Sequence, residues 1–415
     1  VTYLQFVLAH RRFLAFGLTA AALSGFGQTF FIALFGGQIR DGFGLSHGEF
    51  GALYSAATLV SGLSIVWAGR QMDRMDLRAF AALVSLGVAV GCALMAVAGS
   101  VWLVGLAMFV LRIAGQGLMT HMAFTSMGRF FEAGRGKAVS VAGMGLPAAE
   151  AVLPPLAVAV TAWVGWRATW ALAAGAMLVV ALPLLQLLLR GHGARQRWLH
   201  ERAADHGGDG EGGRQWRRGE VLRDPRFYLL LPAVLAAPLI VTALFFHQVH
   251  VAAAKDWPLA WLAASFTAFA VTHVLGLLVF GAVVDRTGAR GLLPWFLLPM
   301  AAGLLVLAVF DGAWAAWPYM VLMGLTMGAT GTMLGALWPE LYGVAHLGAI
   351  RAVVQAAMVL STAVSPVAVG LLLDAGVTVA AIALGLCGYI AVSTGLAVVA
   401  LRLPIPVAAG PQKSR

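Results

Sequence analysis

Apolar runs of roughly 20 residues, each able to cross a hydrocarbon core of about 30 Å as a helix, recur along the whole chain between short clusters of charged, glycine and proline positions. They fall at 13–37, 49–68, 79–98, 101–127, 138–161, 167–189, 227–251, 259–284, 291–310, 314–338, 350–372 and 378–401. Twelve such segments predict an all-α membrane protein with twelve transmembrane helices. The first is too long for the core of a signal peptide and has no clear small-residue cleavage site after it, so it reads as helix 1. The pattern breaks between 190 and 226, where His192, Arg195, Arg197, Glu201, Arg202 and Asp205 precede a glycine-rich run from His206 to Gly213, then Arg217 and Arg218. No Gly-Lys-Ser/Thr follows the glycines and no strand precedes them, so the segment is a polar linker and not a phosphate-binding loop. The expected organisation is a six-helix bundle over 1–189, a linker over 190–226, a second six-helix bundle over 227–402 and a tail over 403–415.

The loops carry a repeat. Gly69, Asp73, Arg74 and Arg78 form a G-x-x-x-D-R-x-x-x-R pattern, and Gly281, Asp285, Arg286 and Arg290 form it again at the corresponding place in the second half. Each copy sits between two apolar segments, so the protein reads as two pseudo-symmetric copies of one membrane unit facing each other around a substrate path.

Composition and charge narrow the class further. With 61% hydrophobic and 11% charged residues, the chain cannot cover a soluble surface with polar groups. If the N-terminus is cytoplasmic, 23 of the 27 lysines and arginines fall in cytoplasmic segments, nine of them arginines between 190 and 226. Arg40, Arg167 and Lys255 are external, and Arg112 alone lies inside a helix. This is the inside-positive asymmetry of a multi-pass membrane protein with both termini cytoplasmic. It accounts for the net charge of +10 without nucleic acid, and leaves the lipid bilayer as the charged partner. Cys92 and Cys387 sit in apolar segments of different halves and read as small core residues.

Twelve helices in two sixes, a long central cytoplasmic loop and the doubled loop motif resemble the major facilitator superfamily across essentially the whole chain. The resemblance implies a secondary transporter, not an enzyme, with no cofactor and no metal. It implies alternating access by rocking of 1–189 against 227–402 around a site near the bilayer midplane. It also makes Gly69, Asp73, Arg74, Arg78, Gly281, Asp285, Arg286 and Arg290 candidate gating residues. Asp73 and Asp285 are placed to meet the N-terminus of a neighbouring helix, where an anion is favoured; the arginines also serve as topological anchors.

Helix 4 carries Arg112-Ile-Ala-Gly115-Gln116-Gly117, similar to the R-x-x-Q-G-x-G run of proton-coupled members, with glutamine and glycine exchanged in order. An arginine at the bilayer centre costs from ~3 to above 10 kcal/mol, so it must face a partner or a wet cavity. Helix 5 offers Glu150, the one carboxylate placed deep in a helix. Arg112 and Glu150 lie equally far in sequence from the turn near Phe131–Glu132, so antiparallel helices bring them to the same depth. They are expected to form a buried pair or to share one water-filled site, either as a fixed lock between helices 4 and 5 or as a coupling device. In the second case a substrate anion that takes over Arg112 leaves Glu150 to bind a proton. Pro147, Pro154 and Pro155 remove helical donors and make helix 5 deformable. The glycine and proline run of helix 5 resembles that of the monocarboxylate and oxalate branch and shares character with drug antiporters. That branch usually places a basic residue in helix 8 or 11, where this chain has His273 and, at the cytoplasmic end of helix 11, Arg351.

His273 can carry a proton, bind a carboxylate or hydrogen-bond a neighbouring helix. Gln28 sits between glycines in helix 1, at a cavity wall, and Gln116 beside Arg112. His121 and Thr125 lie toward the inner end of helix 4. His247 and His250 share a helical face, with no carboxylate or cysteine cluster nearby to complete a metal site, so they line the external mouth. Thr326, Thr330, Gln355, Ser361 and Ser365 contribute from helices 10 and 11. No clustered catalytic groups or nucleotide site are found. The reading is a proton-coupled transporter of a small, monocarboxylate-like organic anion, monomeric and in a bacterial inner membrane. The alternative is a proton-coupled exporter of drug-like or amphipathic compounds.

Overall fold

A computed structural model describes residues 3–69, 71–131, 135–191, 216–343 and 346–403. Most of the expected linker and nearly all of the tail therefore lie outside the described residues, as does the side chain of Asp73. Among the described residues every regular element is helical, and nine helices are long and apolar enough to cross a membrane.

Local sequence sets where the helices begin and end. α1 (Tyr3–Leu23) stops at a tight turn over Ser24–Gly27 and continues as short helical turns to Phe43. α2 (His47–Ala68) starts at a capping box, in which the Ser46 hydroxyl accepts from Glu49 N and the Glu49 carboxylate accepts from Ser46 N, satisfying two otherwise free donors. Asp76 caps α3 (Leu77–Ala96) and Ser100 caps α4 (Val101–Phe130). The apolar stretch Gly136–Leu188 is 53 residues long and breaks at Gly165, whose φ of 80° belongs to a left-handed region open mainly to glycine. This makes it two helices, α5 over 135–164 and α6 over 166–188. α7 (Pro225–Phe246) has Asp224 as cap and proline in its first turn, the position where a missing N–H costs nothing. α8, within Leu259–Leu292, breaks at Gly288 with φ 72°. α9 (Leu298–Val309), α10 (Ala316–Tyr342), α11 (Leu347–Asp374) and α12 (Val379–Arg402) complete the order. α2 and the shorter α9 occupy the places expected for the second and ninth passes.

Helices before the linker pack mainly among themselves, and so do those after it. The principal crossings are α2 on α11 and α5 on α8. Large apolar side chains such as Leu63, Val179 and Leu278 face outward, as lipid requires and water would not favour. Trp102 and Trp163, 84% and 92% exposed, lie at helix ends remote from the linker, a level suited to the bilayer interface.

That remote end is closed. Phe50 stacks on Phe246 and Tyr54 leans on the same ring, while Phe30 meets Phe266 across the halves. Gln248 donates to the Phe30 carbonyl at 2.7 Å. The Asp374 carboxylate, at the end of α11, accepts from the backbone N–H groups of His47 and Gly48 at 2.9 and 2.7 Å. An anion there completes the first turn of α2, where the helix dipole favours it. These contacts between the halves lie at the remote end, and those of α5 with α8 lie at mid-depth. Asp374 thus acts as a latch. One of its two bonds is exposed and the other part-buried; together they are worth about 1 kcal/mol at the low end of the range, so Asp374→Ala is expected to raise the fraction open at this end about fivefold. Spin-label distances across the α2–α11 seam measure that fraction, and an unchanged distribution would dismiss the latch.

Candidate functional site

The centre of the bundle is built around the interruption in α1. Gln28 is extended, and Phe31 N bonds to the Gln28 carbonyl, so the carbonyl of Gly27 is left outside the helical ladder. Arg112 supplies the missing donor, its Nη1 lying 3.4 Å from Gly27 O. At Arg112 the α4 backbone widens into a π-helical stretch, Arg112–Met119, a distortion that recurs at functional sites. The run Arg112–Gly117 singled out in the sequence therefore coincides with the irregular part of the helix. Backbones touch there, since a side chain on Gly115 would stand 2.8 Å from Gly27 Cα.

Arg112 is buried, 2% exposed, and its guanidinium lies over the Tyr54 ring, 5.0 Å from the centroid. Its Nε has no hydrogen-bond partner. The direct pair expected with Glu150 does not form. Glu150 is buried too, but its Oε2 lies 3.2 Å from Nδ1 of His273 on α8. Equal depth was not enough to join the two charges: Arg112 is taken by the Gly27 carbonyl at the interruption of α1, and Glu150 by a helix of the opposite half. Of the three roles open to His273, the geometry realises a hydrogen bond to a neighbouring helix, and its acceptor is an acid.

The prolines of α5 act as the missing donors imply. Pro155 cannot bond the carbonyl of Ala151, and the hydroxyl of Thr267 on α8 donates to it at 3.1 Å. Pro339 frees the Gly335 carbonyl in the same way, and Arg351 donates to it at 2.8 Å. Arg351 is thereby held at the end of α11 opposite Asp374.

The remaining candidates divide. Gln28 and Gln116 lie beside Arg112, half-buried. His247 donates from Nε2 to the Pro366 carbonyl at 2.9 Å and lines a recess at the remote end together with His250. Thr326 and Thr330 spend their hydroxyls on carbonyls of their own helix. In the loop motifs Arg74, Asp285 and Arg286 are exposed and Arg290 half-buried. Arg78 and Gln186 bond reciprocally, through Arg78 Nε and the Arg78 carbonyl. Asp285 does not meet a helix N-terminus. Glu340 does so instead, accepting from Ala289 N at 2.7 Å, and Asp76 serves the start of α3. Sequence reasoning missed Tyr54, Thr267, Glu340 and Asp374. Glu340 follows Pro339, and Asp374 stands just before a glycine-containing turn, but neither signal names a partner far along the chain.

The comparisons agree with this architecture. The family model of the Major Facilitator Superfamily matches residues 17–266, and the chain belongs to that superfamily. Its members are transporters rather than enzymes, and this chain is a multi-pass secondary transporter working by alternating access on a small-molecule substrate. Two solved structures share the fold at 14% identity. One is a bacterial homolog to the human lysosomal transporter Spinster, inward-facing and unoccupied, with a TM-score of 0.64 over 94% of this chain and 94% of that one. The other is such a homolog in the inward-facing, occupied conformation, with a TM-score of 0.63 over 97% and 96%. No curated protein matches the sequence.

Proposed function

We propose that this transporter couples a small organic anion to protons, across a bundle divided into 1–189 and 227–402 by a cytoplasmic linker. One observation carries the reading: Glu150 is engaged by His273, while Arg112 is buried with no carboxylate partner among the described residues. A guanidinium without a counter-ion in a site of low dielectric attracts an anion, and a carboxylate or similar group can take the free Nε donor. Glu150 and His273 belong to opposite halves, so opening the remote end draws them apart. A carboxylate left alone in a dry site takes up a proton, and closure returns it to the imidazole. Proton uptake is thus tied to the conformational step and anion capture to Arg112.

Sidedness follows from the charge asymmetry, which makes the linker end cytoplasmic and the closed end external. In that orientation the loop-motif residues around Asp73 and Asp285 face the open side and engage in the opposite state. A monomer in a bacterial inner membrane completes the proposal. A second reading, proton-coupled export of drug-like or amphipathic compounds, draws on the aromatic surface of Phe30, Phe50, Tyr54, Phe246 and Phe266 above the site.

Proton flux in proteoliposomes with a trapped pH dye separates the readings. Monocarboxylates or dicarboxylates that acidify the lumen as they enter support the anion symporter. Proton movement opposite to that of lipophilic cations transfers support to the exporter, and no proton flux with any class of compound overturns both.

A further inference from the structure

At the linker end of the first half, arginines from three separate segments meet on the last turn of α6. Arg12, on α1, donates through Nη2 to the carbonyls of Leu187 and Arg190, 2.8 and 3.3 Å away. Carbonyls at the end of a helix attract such a donor. Arg78, in the first turn of α3, donates through Nε to Gln186 Oε1 at 3.4 Å, and the Gln186 amide donates back to the Arg78 carbonyl at 2.8 Å. Arg190 itself stands two residues beyond α6. All three side chains are exposed. Arg12 and Arg78 are each anchored through one nitrogen, which orients the guanidinium and leaves its other N–H groups unspent.

No ion pair among the described residues neutralises them. The nearest acid in sequence, Asp76, accepts from the backbone N–H groups of Arg78 and Ala79 at the start of α3. The inner end of α7 is built differently, since its Arg226 is paired with Asp224 at 2.8 Å. The outward apolar stripe of α6 also runs into the group. Val180, Leu184 and Leu187 are exposed at spacings of three and four residues, and Arg190 continues that face one turn further on. Leu83 and Leu86 are exposed on α3, on the membrane side of Arg78.

We propose that Arg12, Arg78 and Arg190 bind the phosphodiester of an anionic phospholipid whose acyl chains lie along α6 and α3. The planar guanidinium fork matches phosphate oxygens, and the apolar stripe beside it accepts the chains. A zwitterionic headgroup carries the same phosphate but brings a cation into a place that already holds three, so the site selects headgroups of net negative charge. Bound there, the headgroup bridges α1, α3 and the end of α6 and fastens the first half as one unit. The inference does not rest on the identity of the substrate or on proton coupling.

Native mass spectrometry of the purified full chain, titrated in detergent with phosphatidylglycerol and separately with phosphatidylcholine, tests this. Each arginine near the surface should contribute about fivefold to the affinity for the anionic lipid. Arg12→Gln/Arg190→Gln should therefore weaken the first phosphatidylglycerol site about twentyfold and leave phosphatidylcholine binding unchanged. Arg78→Gln alone should weaken it about fivefold, which keeps the test decisive if the double variant is not monodisperse. Arg402→Gln removes a charge at the same end of the second half and should change nothing. Equal affinity of the wild type for the two lipids, or the same affinity in Arg78→Gln as in Arg402→Gln, would overturn the site. Displacement of phosphatidylglycerol by an equal concentration of glycerol phosphate would overturn the assignment to a lipid.

Discussion

Glu150→Gln is expected to abolish proton-driven accumulation of substrate while leaving downhill movement in place. Glutamine has the shape of glutamate and can still accept a hydrogen bond from His273, so the packing between α5 and α8 is retained. What it cannot do is gain and lose a proton. One pH unit across the membrane is worth about 1.4 kcal/mol per proton, or roughly tenfold accumulation. The variant should therefore fall from about tenfold accumulation to equality of inside and outside concentrations in an experiment at that gradient. Counterflow of labelled substrate, which needs rocking but no net proton movement, should survive. A variant that still accumulates substrate in response to a proton gradient would show that the Glu150–His273 contact is only a fastening between the halves.

Arg112 carries the second large effect. Arg112→Gln removes the charge that lacks a counter-ion and also withdraws the donor from the Gly27 carbonyl. Charge-assisted hydrogen bonds are worth about 1.5–3 kcal/mol each, so losing such contacts to an anion should weaken its binding by about two orders of magnitude. Arg112→Lys separates the two roles. It keeps the charge and loses the planar fork, and an intermediate affinity is the expected result. Measured as KM for an organic anion in proteoliposomes, equal transport by wild type and Arg112→Gln would remove the anion reading. Faster transport of a lipophilic cation by Arg112→Gln would favour the exporter instead.

The all-helical membrane fold was legible in the apolar runs, and the superfamily in the repeated loop motif, because both depend on periodicities and spacings that the chain itself displays. Individual polar residues at mid-depth were legible too, since a charge such as Arg112 or Glu150 stands out against an apolar helix. Their partners were not. Depth along a helix can be counted from a shared turn, but azimuth cannot. Rotation of α5 about its axis turns Glu150 toward His273, from a helix 123 residues away in sequence. The loop acids failed for a related reason. Asp285 belongs to the motif, yet Glu340 on α10 reaches the first turn beyond Gly288, a meeting set by how α10 packs on α8. The interruption of α1 was foreshadowed by Gly25, Gly27 and Gln28, but the touching backbones at Gly27 and Gly115 depend on two helices at once.

The bond from Thr267 to the carbonyl freed by Pro155 bears on how such a protein turns over. A carrier that is much more stable in one conformation than in the other spends its time trapped. Here a helix has given up one of its own rungs and lends the unpaired oxygen to the opposite half. Breaking that contact requires no unwinding, because water can take the place of Thr267 at a cost of about 0–2 kcal/mol. The proline thus helps to level the energies of the two states, and a sequence feature that looks like a flaw in a helix becomes a means of keeping the cycle moving.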